Sequence, residues 1–380
     1  MSRKVALALA VTLASCSAPE SHHETPEWRI GTEPILTIGG EDSARTEFFN
    51  VSGTWRVPGG GIAVVNAGTN EIRVFDARGR FVHAFGRTGD GPGEFRQISW
   101  SGNAGDTAFI YDVAHRRVTT VLLDSSPRLL TTLPITIDTD SAQDAFIAGR
   151  LADGRWLVHG MSQLNQFLPG VHRLRGFAGV LGSDGKGRVA WLGEAPDIAL
   201  FVYDPSGNHK MVSVEPVAFA PVFNTAALGA SIWFGDMAAD SLFHVDATTG
   251  TREVVRLPDP PAALSTGLVD TARTEALAAI RDSAARALTQ EKYRAPNLPA
   301  HLPAWEDLVP GPDGELWVQM PAVRPGEEVR YLVLSSRGIP VGRVVFPSGY
   351  RVWDAGKDYV AGVHRDADGV ETVKVYSLTR

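Results

Sequence analysis

One unit of short strands and tight turns, repeated along most of the chain, limits what this sequence can fold into more than any other feature. In Pro58 to Gly86 it reads PGGGIAVVNAGTNEIRVFDARGRFVHAFG. Ile62, Val64, Ile72, Val74, Phe81, Val82 and Phe85 mark three strands of large apolar residues. AGTN and ARGR between them supply the turns. No part has helical spacing. The unit returns at Asn103, Leu151, Leu228 and Gly311, and a last copy, AGKDYVAGVHRDADGVETVKVYSLTR, stops one strand short.

That missing strand has a donor. EPILTIGG, Glu33 to Gly40, is an isolated strand ahead of the first full unit. Pairing it with the truncated last copy closes a ring and removes the open sheet edges that a linear array would present. The count is then six, with units spaced roughly 40 to 55 residues apart and therefore carrying insertions. The expected fold is all-β, a six-bladed β-propeller over residues 28–380 closed by an N-terminal strand. Residues 267–294 depart from the pattern. They are rich in Ala, Glu and Arg, and Leu277, Ile280, Ala284 and Leu288 follow one helical face. The expectation is one amphipathic helix between blades 4 and 5, capped by Asp270 or Thr271, that covers a face or flank of the ring, or acts as a lid or docking helix.

The glycine-rich stretch FGRTGDGPGEF, Phe85 to Phe95, lacks the helix that a phosphate-binding loop requires after its glycines, and no Lys-Ser or Lys-Thr follows. It lies between the last strand of one unit and the first of the next, where the chain turns from rim to axis. Gly89, Gly91, Pro92, Gly93, Glu94 and Phe95 make it similar to the blade linkers of six-bladed propellers of the NHL-like group. The resemblance implies the fold rather than an activity, because propellers host many.

The N-terminus points to export. MSRKVALALAVTLASC has two cations, Arg3 and Lys4, then an apolar run too short to span a bilayer, then small residues. Residues 1–15 read as a signal peptide. Leu13-Ala14-Ser15 before Cys16 resembles the bacterial lipobox, which implies acylation of Cys16 and attachment to a lipid membrane on the periplasmic side. By the same resemblance, Ser17 after the cysteine goes with outer-membrane sorting; an ordinary cleaved signal is the alternative. Residues 16–27 then form a polar tether, whose His22 and His23 offer too few fixed ligands for a metal. Cys16 is the only cysteine, so no intrachain disulfide forms. Cleavage removes Arg3, Lys4 and no acid, which moves the formal net charge from −7 to −9 and argues against nucleic acid as a partner.

Aligning the units nominates polar residues at equivalent positions: Asn66, Asp112, His159, Asp236, Gln319 and His364. Either they form a shared patch at the channel mouth or they cap hairpin turns. Trp156, Trp233 and Trp317 also match between units and are expected in the core rather than on a sugar-stacking surface. Asp153, Asp184, Asp313 and Asp368, each followed by glycine, read as hairpin turns, although Asp366 to Gly369 echoes the start of a calcium loop. Two functions stay open. The first is a non-catalytic scaffold that binds a protein, peptide or glycan at its channel face and requires no cofactor. The second is a Ca²⁺- or Zn²⁺-dependent hydrolase or lyase of the lactonase-like kind, using Asn66, Asp112, Asp236 and His364.

Overall fold

The structure, a computed structural model, describes residues 25–380 except 41–42, 125, 140–142, 208–211 and 325. Cys16, His22 and His23 lie outside the described residues. Six antiparallel sheets follow one another along the chain. Blade 1 comprises Val51–Arg56, Ile62–Asn66, Glu71–Phe75 and Phe81–Phe85. Blade 2 comprises Ile98–Ala104, Thr107–Asp112, Arg117–Leu122 and Arg128–Pro134. Blade 3 has Gln143–Arg150, Trp156–Ser162, Gly170–Leu181 and Ala190–Tyr203, plus an outer fifth strand, Ser213–Pro216. Blade 4 follows with Phe223–Leu228, Ser231–Asp236, Ser241–Asp246 and Arg252–Arg256. Asp307–Pro310, Leu316–Met320, Val329–Leu334 and Pro340–Phe346 make blade 5.

Blade 6 closes the ring as expected. Tyr350–Ala355, Tyr359–Arg365 and Glu371–Thr379 supply three strands, and Leu36–Ile38 pairs antiparallel with Val375 to Val373 as the outermost. The seal extends further. Arg29–Ile30 pairs with Thr379 and Leu378, while Pro26 and Trp28 exchange backbone hydrogen bonds with Arg343 on the outer strand of blade 5. Docking therefore begins at Pro26, inside the stretch assigned to the tether, and one N-terminal segment staples two blades.

The repeat read from sequence contains the second, third and outer strands. Each blade also has an innermost strand that the apolar pattern did not reveal. The physical reason lies in burial. A second strand such as Ile62–Asn66 is buried on both faces and reads as a continuous apolar run. Innermost strands such as ISWSGNA (Ile98–Ala104) turn one face to the axis and carry small or polar residues there.

Apolar clusters fill every seam between neighbouring blades. Trp55, Ile72 and Phe95 join blades 1 and 2, and Trp233, Trp305 and Leu316 join blades 4 and 5. Trp156, Trp233 and Trp317 are core residues, exposed by 4%, 0% and 0%. The Phe85–Phe95 stretch is an extended linker, as expected. The Glu94 carboxylate accepts hydrogen bonds from Gly91 N (2.8 Å) and Arg87 Nε (2.7 Å), and buried Phe95 packs edge-on to Phe85. Gly86, at φ +92°, has no room for a side chain, because a Cβ would sit 2.7 Å from the Phe95 ring.

Residues 267–294 form two helices rather than one, α1 (Thr266–Ala278) and α2 (Ser283–Lys292). The break arises because Asp282 acts as an N-cap, its carboxylate accepting from Ala285 N. Arg286 reaches back to the carbonyls of Leu277 and Ile280, the open end of α1. The cap of α1 is Ser265, not Asp270 or Thr271. Leu288 packs with Phe201 and Val217, and Lys292 pairs with Glu215 at 2.9 Å, so α2 rests on the outer extension of blade 3.

The staple at the closure generates a test. Trp28 is 8% exposed, meets Trp317 edge-on with ring centroids 6.0 Å apart, and lies under the Arg380 guanidinium. Trp28→Ala should lower the unfolding free energy by about 3 kcal/mol, read by urea denaturation. A loss within error would mean that the staple is not part of the cooperative fold.

Candidate ligand-binding face

The six nominated residues all sit at or near the C-terminal ends of second strands, on the face where the chain passes from blade to blade. They do not converge. Asn66 is fully buried; its Oδ1 accepts from Phe49 N at 2.7 Å and its Nδ2 donates to Thr69 Oγ1. Asp236 accepts from Ala238 N and pairs with Arg173 at 2.9 Å. Gln319 bridges Glu306 and Tyr331. His364 stands opposite Tyr350, and burial lowers its pKa, with Lys374 adding to the effect. Asn66 and Asp236 tie down turns and linkers within or between adjacent blades.

Asp112 performs the same task more elaborately. Its buried carboxylate accepts from the backbone N–H groups of Arg96, Gln97, Ala114 and His115. Burial works against the charge, but these hydrogen bonds and the His115 imidazole outweigh it and hold the pKa below its usual value. His115 Nδ1 lies 2.6 Å from Asp112 Oδ2, and its Nε2 lies 2.9 Å from Asp90 Oδ1. Asp90 is itself forked onto Arg96. Both ring nitrogens face carboxylates, so only the imidazolium donates to both. Asp112 and then Asp90 raise the His115 pKa, with Arg117 opposing.

Apart from His159, the channel is lined by residues the apolar repeat did not flag. A cavity of about 700 Å³ runs along the axis between the innermost strands. Of the six nominated residues only His159 lines it; its ring stacks on Phe146 at 4.9 Å, and Nε2 lies 3.2 Å from the buried carboxylate of Asp197. Across blades 4 to 6, Arg351 donates to Asp307 Oδ2 at 2.7 Å, and Asn224 Nδ2 reaches Asp307 Oδ1 at 3.4 Å. The Arg351 guanidinium also lies 4.3 Å from the Trp353 ring centroid. Trp100, Phe109, Phe146 and Trp353 are half-buried along this wall. At the opposite end Asp354 accepts from Arg56 N and the Tyr359 hydroxyl, and burial raises its pKa. A sequence signal for these residues did exist: a four-stranded blade needs one more strand between each linker and the following turn.

For a metal, the required feature is several donors around one point. Among the described residues no three His, Cys, Asp or Glu side chains are grouped to hold an ion. Asp366 accepts from Asp368 N and Val370 N, as a hairpin turn does.

A ring of six sheets of four or five strands around a lined axis defines the chain as a six-bladed β-propeller. A family model described as a 6-bladed beta-propeller, DUF5128, matches residues 52–143. A member of the DUF4221 family from Bacteroides vulgatus is similar in structure, with a TM-score of 0.51 and 10% identity, covering 94% of this chain and 100% of that one. The virginiamycin B lyase of Staphylococcus aureus has a TM-score of 0.41 at 11% identity over 93% of this chain and 100% of its own. No curated protein sequence matches the chain. At 10% identity, the likeness to the DUF4221 member carries the fold alone.

Two outcomes follow for the Asp112 cluster. Asp112→Ala leaves four backbone amides without their buried acceptor and should cost about 3 kcal/mol in urea denaturation, whatever ligand is present. His115 has a raised folded-state pKa, so its contribution is complete below its unfolded value near 6.5 and fades as pH rises through the folded value. The stability gap between wild type and His115→Gln should therefore shrink from pH 6 to pH 9. A gap constant over that range would mean that the imidazole holds its proton no more tightly in the folded protein than in the unfolded chain.

Proposed function

We propose that this protein is exported, held at the membrane by a lipid on Cys16, and acts as a non-catalytic scaffold that binds a protein, peptide or glycan at the channel face. The observation that carries the reading is the channel wall itself, where half-buried Trp100, Phe146 and Trp353 share one cavity with hydrogen-bonding groups of Asn224, Asp307 and Arg351. Apolar rings with a few placed polar groups are what recognition sites use. The dispersal of Asn66, Asp112 and Asp236 into structural bonds supports binding over a metal-assisted hydrolase or lyase.

The closure geometry supports an orientation. Pro26 to Trp28 runs parallel to Pro340–Phe346, entering from the end of blade 5 opposite the linker face. A tether arriving there leaves the linker face and its helices turned away from the membrane. No helix among the described residues is long and apolar enough to cross a membrane.

The test uses the full chain against a glycan array and a displayed peptide library. Any binder found should lose at least tenfold in affinity, about 1.4 kcal/mol, with Trp353→Ala and with Arg351→Ala. Binders indifferent to both would place recognition elsewhere. Thermal unfolding should not move between chelator and excess Ca²⁺ or Zn²⁺; a rise of several degrees would put the metalloenzyme reading ahead of the scaffold. Cys16→Ser should release the protein from membranes into the soluble fraction.

A further inference from the structure

A second cavity, of about 540 Å³, lies on the linker face between blades 4 and 5, beneath the first turn of α1. Its size suits a small ligand or a side chain. Val222, Met237, Leu268, Leu302 and Val329 make it apolar. Phe219 at its edge has φ +60°, a conformation that costs a bulky residue on the order of 1–3 kcal/mol and concentrates at ligand clamps. Edge-on contact with Tyr293 helps to hold it there.

The polar end of the cavity is Glu306. Its Oε2 accepts from Gln319 Nε2 at 2.8 Å, and Gln319 Oε1 accepts from the Tyr331 hydroxyl at 3.0 Å, which fixes the amide orientation. Glu306 has no cationic partner among the described residues. The neighbouring charges are committed elsewhere: Asp307 pairs with Arg351, and Glu327 pairs with Arg330 and accepts from the amides of Val323 and Arg324. Arg324 is exposed at the rim. The N-terminal turn of α1 contributes an apolar contact through Leu268, whose amide is already taken by Ser265 Oγ. Crowding by protein raises the Glu306 pKa, Gln319 lowers it, and Asp307 adds to the rise. Glu306 is exposed at the mouth of the cavity, where a carboxylate without a counterion beside apolar walls is placed to pair with a cation whose apolar stem enters them.

We infer that this cavity binds an aliphatic ammonium group on an apolar chain, supplied by a free amine or by a lysine side chain of a peptide lying on the linker face. Only the peptide source rests on the function proposed above.

Calorimetry on the full chain with hexylammonium and hexanol tests it. Hexylammonium should bind at least tenfold tighter than hexanol at pH 7, and Glu306→Gln should abolish that preference while leaving hexanol affinity unchanged. Near pH 5, ammonium binding should release protons, seen as heat that depends on the buffer, and Glu306→Gln should abolish the release. Equal affinities, a preference that survives Glu306→Gln, or no binding of hexylammonium at millimolar concentration would overturn the inference. Trp353→Ala should leave hexylammonium affinity intact, so failure of the channel reading and failure of this one are separable. A lysine peptide that binds tighter than its norleucine counterpart identifies the source as peptide; hexylammonium binding without that difference identifies a free amine.

Discussion

The antiparallel pairing of Leu36 to Ile38 with Val375 to Val373 joins the two ends of the ring, and the rest of the architecture depends on it. Without it, blade 6 would keep an open outer edge and the seam between blades 6 and 1 would lose Ile38. The closure is reinforced at three levels: Arg29 and Ile30 on the same blade, Pro26 to Trp28 on blade 5, and Arg380, which pairs with Glu315 while covering Trp28. Apart from the Arg380–Glu315 pair, these contacts join residues more than 300 positions apart, so they are available only to the nearly complete fold.

Closure also decides what the axis can do. Once the blades are wedged together by aromatic seams, the innermost strands face one another across a cavity, and their small residues leave it open. Arg351, Asp307 and Asn224 come from three blades, yet they form one connected polar strip. Polar groups that cap the second strands are absorbed into the scaffold instead, because a buried Asn66 or Asp112 must satisfy the linker amides around it.

Much of the fold was legible. Second strands buried on both faces read as unbroken apolar runs, and the strand before the first unit matched the one missing from the last. The linker was legible through Gly86 and Glu94, which have local geometric duties. The helical segment was legible as helix but not as two, because its break rests on Asp282 capping and on Arg286 reaching back across the gap. Alignment by apolar pattern favoured residues beside apolar runs, so it found the turn caps and passed over the channel wall.

The sequence by itself determined the architecture, the number of blades, the closing strand and the core tryptophans, because period, turn chemistry and burial on both faces are local properties written along each strand. Only the tertiary structure decided which polar residues share a space. Trp353 and Phe146, or Phe219 and Glu306, are distant in sequence and meet no common pattern; the ring curvature and the docking of α1 bring each pair to one cavity. Proximity across blades is set by closure, and closure is a property of the whole chain.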